Sequence, residues 1–257
     1  MKALLFILSL VLCSCRSQDT DSETSTVDEE STTAANRAVD SSLPGPARAK
    51  AAAQRVRASL TRDLEAKKLR FGDPVFLRAY KEENVLELWV QEPGTQTFKL
   101  FRSYPIAAAS GALGPKTAEG DRQVPEGFYF FARSGMKPDS TFHLAFNIGY
   151  PNAYDRHHKR TGSFIMVHGN CVSIGCLAMS DEKIEEIYTL CDAALTNGQP
   201  FIRIHLFPFR MTETRMRRAA SSKHLDFWKN LKQGHDHFEK TRRPPDTSIV
   251  DGKYAFE

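Results

Sequence analysis

No stretch of this sequence stays apolar for long enough to cross a bilayer, which takes roughly 20 residues; the amino-terminal run from Ala3 to Leu12 falls well short. Charge of one sign is also scarce. The formal net charge is only +4 over 257 residues, and there is no clustered basic–aromatic alternation, so no nucleic-acid partner is expected. There is no internal repeat, so a solenoid or array is excluded. Among the five cysteines no C-x2-C pair occurs, and the tight paired spacing of structural zinc sites is missing.

What is present begins with Met1-Lys2, the short apolar run and "LCSC", the plan of a secretory signal peptide. Leu12 and Ser14 ahead of Cys15 resemble a bacterial lipobox, which implies cleavage after Ser14 and a lipid on Cys15. Arg16 after that cysteine favours the outer membrane. Residues 1–14 are therefore read as a signal peptide. Residues 15–46, rich in Ser, Thr, Asp and Glu with "LPGPA" at the end, read as a disordered acidic tether, because few apolar groups offset the entropy of ordering. Residues 47–70 turn basic and alanine-rich. They predict a helical linker whose Val56, Leu60 and Leu64 share one face. Residues 71–257 form one domain, long enough to bury a sizeable core.

Within that domain, β-branched and aromatic runs at 75–80, 85–90, 97–101, 128–131, 142–148, 164–168 and 201–207 predict strands. Gly, Pro, Asn or Asp separates most of them. The expected class is α+β: a mainly antiparallel β sandwich or partly closed barrel with appended helices. One helix is expected from a Ser180 cap to Asn197-Gly198, burying Ile184, Ile187, Tyr188, Cys191, Ala194 and Leu195. A second starts after Thr212 and carries Met216, Ala220, Phe227, Trp228 and Leu231. His224, His235 and His237 have no evident partner, and "HDHFEK" reads as a charged surface stretch.

The densest chemistry lies in "VHGNCVSIGC" (167–176). A strand delivers His168, Gly169 turns the chain, and Cys176 follows Gly175 just before a helix. Only about 3% of an ordinary thiol is ionised at pH 7, so an adjacent imidazole that accepts the proton or holds an ion pair makes Cys176 a nucleophile. The N–H groups of Ile174, Gly175 and Cys176 are candidate donors to an oxyanion. Asn170, Ser173 or a backbone carbonyl is a candidate to orient His168. Three alternatives stand beside this: His168, Cys171 and Cys176 as zinc ligands, a Cys171–Cys176 disulfide, and an inert turn.

"HGNCVSIGC" resembles the signature of the L,D-transpeptidase family, the YkuD-type catalytic domain, and is closest to its short-spacer YafK-type branch. "SGALGPKTAEGDRQVPEGFYFF" (110–131), "NIGYPNAYDRHHKRTGSFIMVHG" (147–169) and "FPFRM" (207–211) carry the likeness from about Phe71 to Phe256. The resemblance implies the L,D-transpeptidase fold and cysteine-dependent acyl transfer at meso-diaminopimelate centres of peptidoglycan. Cys176 would be the nucleophile and His168 the base, with Gly169, Ser173 and Gly175 shaping the site. Pro125 and Gly127 match an architectural strand-entry motif. Tyr154, Asp155 and Arg160 are candidates for holding the substrate, Arg160 by bidentate bonds to a carboxylate. No cofactor and no metal is implied. The partners expected are stem peptides, a peptidoglycan-anchored protein and the membrane through the lipid; the location expected is the periplasm.

Two departures matter. Ile174 stands where many members have a histidine, and Ala178 where many have an arginine. The second weakens the case for cross-linking and opens a hydrolytic outcome, a murein L,D-endopeptidase or amidase. A non-catalytic peptidoglycan-binding or zinc-stabilised module is the rival from another class.

Overall fold

A computed structural model describes residues 42–257; the expected signal peptide, Cys15 and most of the acidic tether lie outside them. Among the described residues no helix is long and apolar enough to cross a membrane.

The basic stretch folds as helix α1 (Gly45–Ala66). Ala52, Leu60 and Leu64 along it are fully buried, and Val56 packs beside them. Each buried leucine is worth about 1.5–3 kcal/mol, so the helix is bound into the main core. It lies along α3 (Asp181–Thr196), the helix expected after Ser180. Between them in sequence comes the short α2 (Ala153–His157). Ser180 does not cap α3 as expected: its φ is +69° and its side chain makes no cap bond. The apolar stripe of α3 is otherwise as read, with Cys191 in the core. The helix expected after Thr212 is two helices, α4 (Glu213–Arg218) and α5 (Leu225–Thr241). The break falls at "AASSKH" (219–224), where serines compete for backbone hydrogen bonds.

Twelve strands are described: β1 (Val75–Tyr80), β2 (Val85–Gln91), β3 (Phe98–Pro105), β4 (Ala108–Ala109), β5 (Gly127–Phe131), β6 (Met136–Lys137), β7 (Ala145–Asn147), β8 (Met166–His168), β9 (Leu177–Ala178), β10 (Ile202–Phe207), β11 (Thr247–Val250) and β12 (Lys253–Phe256). They form two five-stranded sheets, β3-β2-β1-β10-β5 and β4-β9-β8-β7-β6, plus a β11–β12 hairpin. Neither large sheet closes into a barrel. Most pairs are antiparallel, but β1 with β10 and β8 with β9 run parallel. Every residue of β1 is buried, as befits a strand between two neighbours and covered on both faces. Leu77, Leu88, Phe131, Phe146, Val167, Leu177, Ile184 and Ile204 belong to one core cluster that joins the two sheets and α3. That core fixes β8 and β9, which hold the candidate residues His168 and Cys176 in place.

Candidate active site

His168 ends β8, and Cys176 immediately precedes β9. In the parallel register Val167 pairs with Leu177 and His168 with Ala178. One step back sets Cys176 beside Met166, whose N–H donates to Sγ at 3.4 Å. Residues two apart on a strand return to the same face, so His168 and Cys176 point to one side of the sheet. The loop 169–175 bulges out between them. Its Val172 and Ile174 are exposed apolar residues, as is Phe164 on the segment before β8.

His168 is buried, with 3% of its surface exposed. Its Nδ1 lies 2.5 Å from the Gly169 carbonyl oxygen. A carbonyl only accepts, so Nδ1 carries the proton and Nε2 keeps its lone pair. The orienting group is thus the backbone carbonyl, one of the three foreseen. Burial pushes the imidazole below its ordinary value, opposed by the Gly169 bond and the Asp181 carboxylate. Phe142 packs over the ring with centroids 4.8 Å apart.

The Cys176 thiol is free, so it is not bonded to Cys171. Burial raises it above the ordinary thiol value, while the Met166 N–H and the Lys116 ammonium pull it down. In its neutral form it donates weakly to the Phe164 carbonyl at 3.8 Å. Thiol up and imidazole down favour an uncharged resting pair over an ion pair. Among the described residues no three His, Cys, Asp or Glu side chains group as metal ligands.

The glycines and Ser173 hold this shape. A Cβ on Gly169 would lie 2.5 Å from Asp181 Oδ1 and 2.8 Å from the Phe142 carbonyl oxygen. Gly175 has φ +90°, a conformation costly for residues with a Cβ. Ser173 Oγ donates to the Cys176 carbonyl at 2.6 Å and accepts from its N–H at 3.0 Å. The Gly175 N–H donates to Ser110 Oγ at 2.5 Å. Two of the three expected oxyanion donors are therefore engaged by hydroxyls. Of the three, Ile174 N–H has no such partner among the described residues.

The residues expected to hold substrate are occupied by the fold. Asp155 is fully buried. It accepts from Arg160 Nη1 at 2.8 Å, Tyr129 Oη at 2.9 Å and the Asn152 N–H at 3.1 Å. With Asn152 it completes a capping box on α2. Burial raises the Asp155 carboxyl, against the pull of Arg160. The Tyr154 ring stacks on Tyr254 at 4.5 Å and lies 4.9 Å under the Arg160 guanidinium. These three residues brace the 149–164 segment, whose far end brings the Phe164 carbonyl to the thiol.

Lys116 escaped the sequence reading. It is 4% exposed, and its Nζ donates to Asp121 Oδ1 at 2.7 Å and to the Ala118 carbonyl at 2.8 Å. It lay within the motif "SGALGPKTAEGD", but nothing in its spacing tied it to Cys176. His235, read as a surface residue, is instead 8% exposed and shares a 3.2 Å hydrogen bond with Tyr80.

A family model described as the L,D-transpeptidase catalytic domain matches residues 81–206. The Escherichia coli K12 protein named "Putative L,D-transpeptidase YafK" is 48% identical over 191 residues, 74% of this chain and 77% of that protein. The protein of that name from Escherichia coli O157:H7 matches equally. Among solved structures, a point mutant of the helical cell shape determining protein Pgp2 from Campylobacter jejuni superposes with TM-score 0.44 at 19% identity. That match covers 65% of this chain and 57% of the other. Bd1075 from Bdellovibrio bacteriovorus gives 0.38 at 16% identity, over 69% of this chain and 78% of the other.

Proposed function

Because the chain belongs to the L,D-transpeptidase catalytic-domain family, we propose that it performs cysteine-dependent acyl transfer on peptidoglycan, at the meso-diaminopimelate centres of stem peptides. The observation that carries this reading is the shared face of His168 and Cys176 across the β8–β9 ladder, with Nδ1 tied to a carbonyl, which leaves the lone pair on Nε2.

Cys176 Sγ attacks the amide carbon while His168 Nε2 takes the thiol proton. The imidazolium returns that proton to the departing amine as the C–N bond breaks, leaving a thioester on Cys176. An acceptor amine then attacks the thioester, His168 again moving the proton, and the thiol is regenerated. Lys116 and the Met166 N–H lower the cost of negative charge on sulfur. Tyr154, Asp155 and Arg160 act as positioning residues for the 149–164 segment, and Gly169, Ser173 and Gly175 set the nucleophile loop.

Water as acceptor is the second reading, and Ala178 favours it. That residue is fully buried opposite His168 and Ala108, so the site lacks the cation that many members of the family place there for substrate. The proposed setting is the periplasm, with attachment to the outer membrane through a lipid on Cys15.

Purified full-length protein incubated with muropeptides and analysed by mass spectrometry tests the reaction and its outcome together. New cross-links indicate an amine acceptor, and cut stems indicate water. Cys176→Ala abolishes both; full activity in that variant rejects the assignment. A binding module, the rival reading, would leave the muropeptides unchanged and its Cys176 slow toward iodoacetamide.

A further inference from the structure

Helix α1 lies outside the residues matched by the family model, yet it reaches the segment that covers His168. At its start, Gly45 comes so near the 138–139 backbone that a Cβ there would sit 2.6 Å from the Asp139 nitrogen. One turn on, Arg48 Nη1 donates to the carbonyl oxygens of Ser140 at 2.8 Å and His143 at 2.9 Å. Further along, Arg55 binds Glu185 through Nε at 3.1 Å and Nη2 at 2.6 Å. Glu185 Oε1 in turn accepts from His143 Nε2 at 2.8 Å. The 138–143 segment is therefore held by its backbone at 140 and 143 and by the side chain of 143.

Phe142 lies between those ties. Its ring packs on His168 at 4.8 Å with 35° between planes, and its carbonyl crowds Gly169. Phe142 is itself 40% exposed, while His168 beneath it is 3% exposed. A cavity of about 410 Å³, lined in part by Arg48, Asp139, Phe142, Asn170 and Asp181, opens beside the segment. Among the described residues that side of Phe142 faces the cavity rather than a packed core, and the ties from Arg48 and from Glu185 to residues 140 and 143 restrain the segment that carries it.

We propose that Arg48 is a positioning residue of the acyl-transfer site: it fixes the 138–143 segment so that Phe142 stays on His168 and keeps that imidazole dry and in one orientation. The proposal rests on the reading of His168 as the base. It makes the helix preceding the matched family region a working part of the site. The charged and titratable groups around His168 are Asp181 at the start of α3, the Cys176 thiol, and Asp139 and His143 on the covering segment. Arg48 and Glu185 stand behind that segment.

The test uses full-length protein and its Arg48→Gln, Arg48→Lys and Phe142→Leu variants. The His168 side chain is titrated by NMR, its signals assigned by their loss in His168→Gln, and Cys176 alkylation by iodoacetamide is followed against pH. Hydration of a loosened ring moves the His168 midpoint up toward the ordinary histidine value, by about 0.5 unit or more. We expect that shift in Arg48→Gln and Phe142→Leu, with the acid limb of alkylation following it. We expect kcat on muropeptides to fall about tenfold while KM stays within about twofold. Arg48→Lys, which keeps a cation able to bond one carbonyl, falls between. An unmoved His168 midpoint in Arg48→Gln, with cooperative melting retained, overturns the proposal. Should that variant not fold, an unmoved midpoint in Phe142→Leu overturns it equally, since a half-exposed ring is dispensable for folding. If His168→Gln leaves the alkylation profile unchanged, the assignment of the base fails instead, and the NMR shift still reports on Arg48.

Discussion

At the scale of single residues, the environment of the pair decides how it works. A thiol raised by burial and an imidazole lowered by it favour an uncharged start, so in the proposed reaction proton transfer accompanies attack rather than preceding it. Alkylation of Cys176 should therefore keep rising through pH 8, without the plateau near pH 6–7 that a preformed ion pair gives. The His168-dependent component should switch on below pH 6.5, because the base becomes neutral at lower pH than an ordinary histidine. A stopped-flow series from pH 5 to 9 on the parent protein and His168→Gln checks both; an early plateau refutes the uncharged pair. Two glycines fail differently. Gly175→Ala meets nothing nearer than 3.7 Å, so its cost is the left-handed backbone alone, about 1–2 kcal/mol. Gly169→Ala carries no such backbone cost but must displace the Phe142 carbonyl and Asp181, and urea titration should show it the more damaged. Cys176 and His168 were legible as a candidate pair because side-chain identity and spacing single them out. The Gly169 carbonyl was legible only as one option among three, since every residue has a carbonyl. Lys116 was invisible because its link to the thiol runs through the fold.

At the scale of elements, "NAYDRHHKR" (152–160) shows a polar stretch whose charges also serve the fold. Asp155 and Arg160 offer charges that suit a zwitterionic substrate; in the structure Asp155 closes the capping box on α2 with Asn152, and Arg160 pairs with the Asp155 carboxylate. An asparagine three residues before an aspartate is the cue that was available. Removing one partner of a buried pair costs about 3–5 kcal/mol. Arg160→Met, with the pair 10% and 0% exposed, should therefore lower stability by that order. Replacing Asp155 by Asn in the same chain should recover part of it. A double-mutant cycle in urea, read beside KM, separates bracing from substrate contact: unchanged stability with a raised KM would return Arg160 to the substrate. Helix α1 was legible as a helix with a buried stripe, because Val56, Leu60 and Leu64 recur at helical spacing. Its grip on the 138–143 segment was not, because Arg48 acts on backbone carbonyls far away in sequence.

At the scale of the molecule, alternating strands predicted the class and the absence of a closed barrel did not follow from them. Periodicity reports which face of a strand is buried, not its neighbour, so the parallel β1–β10 and β8–β9 pairs were out of reach. Pairing β10 beside β1 and β5 buries His205 against Phe76 and Phe128, each 4.7 Å away. Among the described residues its Nδ1 has no hydrogen-bond partner. Burial holds this imidazole far below its ordinary value, and burial also lowers His168 and His235. For a base lowered by folding, the unfolded chain binds more protons once the pH drops beneath about 6.5. The stability tied to its neutrality is complete above that pH and is lost toward the folded-state value, at about 1.4 kcal/mol per unit for each such group. Carboxylates lowered by ion pairing, such as Glu185 and Glu239, act only nearer pH 4. Between pH 6 and 5 the fall in stability is thus a histidine effect. His205→Phe removes one titrating group from an aromatic pocket that can accept the ring. Urea unfolding at pH 7.0, 6.0 and 5.0 should show its curve flatter than the parent's by up to about 1.4 kcal/mol per unit. Parallel curves would mean that His205 is reached by protons before the sheet opens, and that the core around β10 is looser than its packing indicates.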